Sequence, residues 1–166
     1  HYSVPQKTFS GWLDCRRVEQ AVLQLFSNAI KFTPAGGTID ARLTRSGDKL
    51  VLALNDGGES MDDGMLCAAF TRYERENPLG DPRCGVGFGL PIVRHIAQLH
   101  GGALVLSAQN GGMHACMSLS IRAPKPSEDT LHSPVAAMDD AGGYRRELIG
   151  LADVLPPEAF DSCAIN

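Results

Sequence analysis

Three alternating glycines, Gly85, Gly87 and Gly89, lead into an apolar helical repeat in the stretch GVGFGLPIVRHI. Glycines let successive backbone N–H groups converge, and a helix N-terminus carries positive partial charge, so this entrance suits an anion, above all a phosphate. Two common nucleotide motifs do not fit. Position 90 is Leu where a dinucleotide fingerprint needs Gly, and the GK[ST] of a P-loop is absent. The simpler alternative is a glycine-rich turn that binds nothing.

A second set of polar residues lies on the first predicted helix. Gln24, Asn28 and Lys31 fall at i, i+4 and i+7, so they share one flank of that helix, away from its apolar stripe. Asn is a poor helix former, but its amide oxygen can ligate a hard cation such as magnesium, and Lys31 could reach a terminal phosphate. A third element is Asp56, which ends an apolar strand ahead of two glycines. The structural alternatives are a solvated helix face and an ordinary turn after a strand.

Hydrophobic spacing predicts the elements that must position these residues. Apolar residues recur every three or four positions from Val18 to Ile30, with Asp14 as a plausible N-cap and Pro34 beyond the end, which predicts a helix. An α/β sandwich follows from the whole order, with helices on one face of a mixed, largely antiparallel sheet. The further predicted elements are a hairpin over 38–56 that turns at RSGD, a short helix over 62–70, a long loop through ERENPLGDPRCG, a helix over 90–100 and a hairpin around Asn110-Gly111.

Composition predicts one globular domain, residues 1–122, followed by an acidic linker and tail, residues 123–166, with a possible short helix at YRRELIGLADVL. The domain holds 12 Lys and Arg against 11 Asp and Glu, and the tail holds 3 against 8. This balance lacks the basic density of a nucleic-acid binder. No 18-residue apolar run or signal layout occurs, so we expect a cytoplasmic segment without direct membrane contact, whether or not its parent protein is membrane-anchored. Five cysteines without a CxxC pair predict buried thiols rather than disulfides or a zinc site.

The order and spacing of these motifs resemble the ATP-binding, catalytic domain of sensor histidine kinases, within the wider family of gyrase-like, chaperone, histidine-kinase and mismatch-repair ATPases. The resemblance runs from about Tyr2 to Ile121. DCRRVEQAVLQLFSNAIKFTPAGGTI looks like the family's asparagine box, NDGGESM its first glycine box, FTRYER its phenylalanine box and GVGFGLPIVRHIAQLHGG its second glycine box. The resemblance implies a Bergerat-type ATP-binding fold that uses ATP and Mg2+.

Carried over by position, the resemblance makes Asn28 the magnesium ligand, Lys31 a phosphate contact and Arg75 a contact to the γ-phosphate. These three residues form the implied catalytic set. The alternating glycines would cradle the phosphates at the end of a mobile lid, about residues 71–86. The phenylalanine box and the two glycine boxes supply the other implied nucleotide-binding residues of this part of the site: Met61, Phe70, Gly85, Val86, Gly87, Phe88, Gly89 and Leu90.

The resemblance also implies how the base is held. Phe32 would pack near the ribose and adenine, and Asp56 would accept a hydrogen bond from the adenine amino group. Gly58 would give the base close access.

Four positions depart from the family pattern. Ser60 replaces a glycine and Val86 replaces a Thr or Ser, and neither change removes a group that does chemistry. Glu74 stands where the family often has an aromatic residue. Gln24 stands where histidine kinases usually have Asn and where gyrase-like ATPases have a Glu that activates water. A Gln amide offers no base. Phosphoryl transfer mainly needs positioning and charge neutralisation, so transfer to an acceptor fits better than hydrolysis.

The sequence therefore predicts the phosphoryl-donor domain of a two-component sensor histidine kinase. Its expected partners are ATP, a dimerisation domain that carries the accepting histidine, and a downstream response regulator, with no nucleic acid. None of the five histidines lies in an HExxTP-like context, so we expect the acceptor on a separate part of a larger kinase. The alternatives are a degenerate nucleotide-binding regulatory module, which Ser60 and Val86 would favour, and a hydrolytic conformational ATPase, which Gln24 disfavours.

Overall fold

The computed structural model describes residues 1–5, 10–58, 89–109, 112–123, 150–151 and 153–156. In these residues, two helices pack on a five-stranded sheet whose strand order is β1-β2-β3-β5-β4. β1 pairs with β2 in parallel, and the other neighbours are antiparallel, which confirms the predicted mixed α/β architecture. The elements are β1 (Tyr2–Ser3), α1 (Cys15–Phe32), β2 (Ile39–Ser46), β3 (Lys49–Asp56), α2 (Gly89–Leu99), β4 (Ala103–Gln109) and β5 (Gly112–Ser120).

Helix α1 begins and ends where local chemistry predicts. The carboxylate of Asp14 accepts a hydrogen bond from the backbone N–H of Arg17 (3.1 Å), which satisfies a free donor of the first turn. After Phe32 the chain turns through Gly36, whose φ of 81° favours glycine. Between these ends, α1 buries one stripe against the sheet and α2, formed by Ala21, Leu25 and Ala29.

Both predicted hairpins are present in the described strands. Strands β2 and β3 turn at Gly47, which has φ 58°, and their register places Ile39 opposite Asp56. Strand β3 then pairs with β5, so Asp56 lies at the end of a central strand. The two-residue β1 was not predicted, because an alternating pattern cannot be recognised in so short a strand.

The core lies between the sheet and the two helices. Leu25 and Val93 are among its largest fully buried side chains. His100 ties the two helices together, because its Nε2 accepts from the backbone N–H of Asp14 (3.1 Å) while Nδ1 lies 2.8 Å from the carbonyl of Ile96. His95 is exposed, but His100 is half-buried in this contact.

Several expectations lie partly or wholly outside the described residues. These are the short helix over 62–70, the long loop after it, the turn at Asn110-Gly111 and most of the segment 123–166, so the domain boundary at residue 122 stays a prediction. The expectation of buried thiols was wrong for Cys15, which is exposed at the first residue of α1, while Cys116 is half-buried. None of the described helices is long and apolar enough to span a membrane.

Candidate functional site

The polar flank of α1 faces the first turn of α2. A Cβ atom added to Gly89 would lie 2.8 Å from Oε1 of Gln24 and 3.4 Å from Nδ2 of Asn28. Both amides therefore approach α2 closely because Gly89 has no side chain. In this arrangement Nδ2 of Asn28 is buried and, in the described part of the chain, has no hydrogen-bond partner. A buried polar atom without a partner is uncommon in folded proteins and points to a missing ligand or water.

The end of β3 contributes an oriented carboxylate. Asp56 is only 8% exposed. Its Oδ1 accepts hydrogen bonds from the backbone N–H groups of Gly58 (3.1 Å) and Met113 (2.9 Å). Among the residues that the structure describes, no hydrogen bond reaches its second oxygen, Oδ2. Within the described residues, Asp56 is therefore held through Oδ1 alone.

Gly58 allows the turn after β3, next to that carboxylate, to lie against the end of α1. A Cβ atom at position 58 would lie 2.4 Å from the carbonyl oxygen of Phe32 and 3.1 Å from Oδ1 of Asp56. The first of these distances is too short for any side chain, and the atom it meets belongs to the backbone. Only glycine therefore allows the turn after β3 to pass this close to the last residue of α1.

The third group is an ion pair that sequence analysis missed. Lys31 Nζ pairs with the carboxylate of Asp153, to which Ser27 Oγ also donates hydrogen bonds (3.2 Å to Oδ1 and 3.3 Å to Oδ2). Lys31 has only 16% of its side chain exposed, and Ser27 is 3% exposed. Burial alone would raise the pKa of Asp153, but the hydrogen bond and charge of Lys31, with the Ser27 hydroxyl, outweigh it and hold the pKa below its usual value of 3.8.

Seven of the predicted site residues fall within the described chain. Six of them lie at the three contacts described above: where α1 meets α2, where the end of β3 meets the end of α1, and in the ion pair of Lys31. The seventh, Leu90, has its side chain in the core at 4% exposure, so only its backbone belongs to the first turn of α2. The six are Asn28, Lys31, Phe32, Asp56, Gly58 and Gly89. Those that lie outside the described residues are Met61, Phe70, Arg75, Gly85, Val86, Gly87 and Phe88.

Comparison with known proteins assigns the family. Residues 13–125 match the family described as histidine kinase-, DNA gyrase B- and HSP90-like ATPases. The chain belongs to this family, as its motifs predict.

Its curated relatives include sensor histidine kinases. Sensor histidine kinase TmoS of Ectopseudomonas mendocina is 34% identical over 116 residues, which is 68% of this chain and 12% of that protein. Histidine protein kinase DivJ of Caulobacter vibrioides is 35% identical over 111 residues, 67% of this chain and 18% of that protein. Sensor protein kinase PmrB of Pseudomonas aeruginosa is 32% identical over 120 residues, 72% and 24% of the two chains. The chain thus spans less than a quarter of each.

Solved structures give the same result for the fold. The mycobacterial sensor histidine kinase MprB superposes with a TM-score of 0.58 at 29% identity, over 73% of this chain and 81% of that one. The nucleotide-free catalytic domain of histidine kinase ThkA superposes with a TM-score of 0.64 at 20% identity, over 73% and 77% of the two chains. The chain therefore has the α/β fold of histidine kinase catalytic domains.

Proposed function

We propose that this chain binds Mg-ATP where the end of α1, the end of β3 and the start of α2 meet, and that it is the phosphoryl-donor domain of a cytoplasmic two-component sensor histidine kinase. Membership of the ATPase family and similarity to sensor histidine kinases support the proposal. The accepting histidine would lie on a dimerisation domain, from which the phosphoryl group passes to a response regulator.

The observation that carries the proposal is the buried nitrogen Nδ2 of Asn28, which has no hydrogen-bond partner among the described residues. A buried polar group that lacks a hydrogen bond costs about 1–3 kcal/mol, and a phosphate oxygen that accepts a hydrogen bond from Nδ2 would remove this cost. An Asn amide offers an oxygen to a cation or two N–H donors to a phosphate. Magnesium prefers oxygen ligands, so Asn28 would hold it through the amide oxygen. The ion, when bound, supplies charge neutralisation on the transferred phosphoryl group.

The neighbouring groups supply the other contacts of the proposed nucleotide site. Oδ2 of Asp56 would accept a hydrogen bond from the adenine amino group, next to the close backbone approach of Gly58 and Phe32. Lys31 would contact a phosphate, and the first turn of α2 would direct its positive end at the same anion. The proposed site also includes Met61, Phe70, Arg75, Gly85, Val86, Gly87, Phe88 and the backbone of Leu90.

Gln24 favours transfer over hydrolysis. Its amide lies beside Gly89, at the entrance where we propose the phosphates bind. No lone pair of a neutral amide nitrogen is basic at pH 7, so Gln24 cannot deprotonate an attacking water. The remaining groups position and neutralise phosphate, which is most of what phosphoryl transfer requires.

Calorimetric titration with ATP, with and without Mg2+, tests the binding site. Asn28→Ala should weaken Mg-ATP binding about ten- to hundredfold and remove its dependence on Mg2+, since one metal ligand is lost. Gln20→Ala is the matched control, because Gln20 is an exposed amide on the same helix, two turns earlier. Unchanged affinity in Asn28→Ala, with the circular dichroism of the parent chain, would refute the metal assignment.

Phosphotransfer tests the activity. With γ-labelled ATP and the histidine-bearing dimerisation domain of a sensor kinase added in trans, label should move to that domain and not to this chain. Release of labelled inorganic phosphate without transfer would instead support the hydrolytic alternative.

A further inference from the structure

The proposal concerns the tail segment, defined as residues 150–151 and 153–156, which lies on α1. Asp153 contacts Ser27 and Lys31, two residues one turn apart on α1 and more than 120 positions away along the chain. Gly150 contacts α1 one turn further back, because a Cβ atom there would lie 2.4 Å from Cδ1 of Leu23. The tail segment therefore follows a single stripe of α1, from Leu23 through Ser27 to Lys31.

The local structure of the tail segment presents Asp153 to that stripe. The backbone N–H groups of Val154 and Leu155 both donate to the carbonyl of Leu151 at 3.0 Å, which closes a turn around Asp153. Leu151, Val154 and Leu155 are half-buried rather than exposed. The ion pair itself joins a carboxylate that is about half exposed to a lysine whose side chain is only 16% exposed, so it is not a pair of two fully exposed charges.

The chemistry of the contact resembles that of a bound phosphate. A carboxylate and a phosphate both present anionic oxygens that accept hydrogen bonds from a hydroxyl and an ammonium group. Lys31 is the same cation that we assign to an ATP phosphate, so this inference rests on the proposed function. If both anions were present, the carboxylate would lie beside a triphosphate in a partly buried site, where like charges repel.

We propose that the tail segment is an intramolecular competitor of nucleotide: the carboxylate of Asp153 takes the place at Lys31 that a phosphate oxygen of ATP takes in the bound state. In the nucleotide-free chain, Lys31 and Ser27 are satisfied by Asp153. Binding of ATP displaces the carboxylate and releases the tail segment from α1. By linkage, the factor by which nucleotide favours release of the tail segment equals the factor by which release of the tail segment raises the affinity for nucleotide.

Asp153→Asn tests the competition in the full chain. The variant removes the negative charge with little change of shape, and should raise the affinity for Mg-ATP about two- to fivefold, the weight of a partly exposed ion pair. Asp48→Asn is the matched control, since Asp48 also forms an exposed ion pair, with Arg122, at the opposite end of β3. Its affinity should equal that of the parent chain. Equal or weaker Mg-ATP binding in Asp153→Asn would overturn the proposal, and a weaker one would make Asp153 a residue that positions Lys31.

A second measurement needs no nucleotide. Acetylation of Lys31 by acetic anhydride, followed by mass spectrometry, should be slow in the parent chain and in Asp48→Asn, and fast in Asp153→Asn. Mg-ATP should also speed hydrogen exchange of the tail segment. If Lys31 is protected by Asp153 but no variant binds Mg-ATP, the proposed function fails together with the competition, while the contact itself stands. If Mg-ATP binds and Lys31 reacts equally in all three chains, only the competition fails.

Discussion

Asp56 offers the sharpest test of the site, because its two oxygens have different roles. Oδ1 accepts two backbone hydrogen bonds, from Gly58 (3.1 Å) and Met113 (2.9 Å), and the side chain is buried. We assign Oδ2 to the adenine amino group. Asp56→Asn should separate these roles, since the two fixed N–H donors require an acceptor and so hold the amide oxygen at the position of Oδ1. The amide NH2 then takes the position of Oδ2.

Asp56→Ala and Asp56→Asn should differ in their effect on the stability of the fold. Asp56→Ala leaves two buried N–H groups unpaired, at about 1–3 kcal/mol each, so we expect it to lower the free energy of unfolding by about 2–6 kcal/mol. Asp56→Asn keeps both hydrogen bonds and should lower that free energy by less than about 1 kcal/mol. Urea denaturation followed by circular dichroism measures both. Equal losses in the two variants would refute the role of Oδ1.

Nucleotide selectivity tests Oδ2. Adenine presents an amino donor where guanine presents a carbonyl acceptor, so Asp56 should favour ATP over GTP by at least about 30-fold, from a difference of about 2 kcal/mol or more. In Asp56→Asn the NH2 group faces the adenine amino donor but can donate to the guanine carbonyl. The affinity for ATP should therefore fall, and the ratio of the affinities for ATP and GTP should become smaller. Competition binding of the two nucleotides to both chains is the assay. Equal affinity of the parent chain for ATP and GTP would refute the base contact.

Three further predictions follow from single contacts. Gly58→Ala should lower the free energy of unfolding by about 1–3 kcal/mol, since its Cβ atom would lie 2.4 Å from a backbone oxygen, and Gly57→Ala, with 3.3 Å to its nearest atom, should cost less in the same urea titration. NMR titration should give the carboxyl of Asp153 a pKa below 3.8, and a higher pKa in Lys31→Met. Because folding lowers this pKa, the ionised carboxylate stabilises the fold fully above its pKa in the unfolded chain, and this stabilisation is lost as the pH falls through its pKa in the folded chain. The parent chain should hydrolyse ATP more slowly than about 1 per second, and Gln24→Glu should hydrolyse it faster in a phosphate-release assay.

Most of the fold could be predicted because its elements have local signals. The stripe of Ala21, Leu25 and Ala29 has helical spacing, and Asp14 has the chemistry of an N-cap that the structure confirms. The hairpin turn at Gly47 follows from a residue type that tolerates positive φ. Strand β1 and the half-buried position of His100 could not be predicted, because both depend on partners that are distant in sequence.

For the candidate site too, the residue types could be predicted from the sequence, whereas the contacts of individual atoms could not. Asn28, Lys31 and Asp56 have residue types that suggest nucleotide chemistry, and helix spacing and strand position bring them to one end of the fold. That Nδ2 of Asn28 lacks a hydrogen-bond partner among the described residues, while Oδ1 of Asp56 accepts two hydrogen bonds, could not be known from sequence, since these facts concern atoms and not residue types. Ser27 was also missed, because a small polar residue in an amphipathic helix gives no sign of what it contacts.

Asp153 shows why charge composition alone did not reveal the tail contact. The acidic excess of residues 123–166 is spread over eight carboxylates, and a solvated linker accounts for it without further assumptions. What distinguishes Asp153 is a nearly buried cation on the folded domain that needs a counter-charge when no phosphate is present. A phosphate site built around such a lysine has to be stable in both its empty and its filled state, and a carboxylate from the same chain meets that requirement without a permanent anion in the site. Under our proposal, the affinity for nucleotide is therefore set partly by residues that the nucleotide never touches.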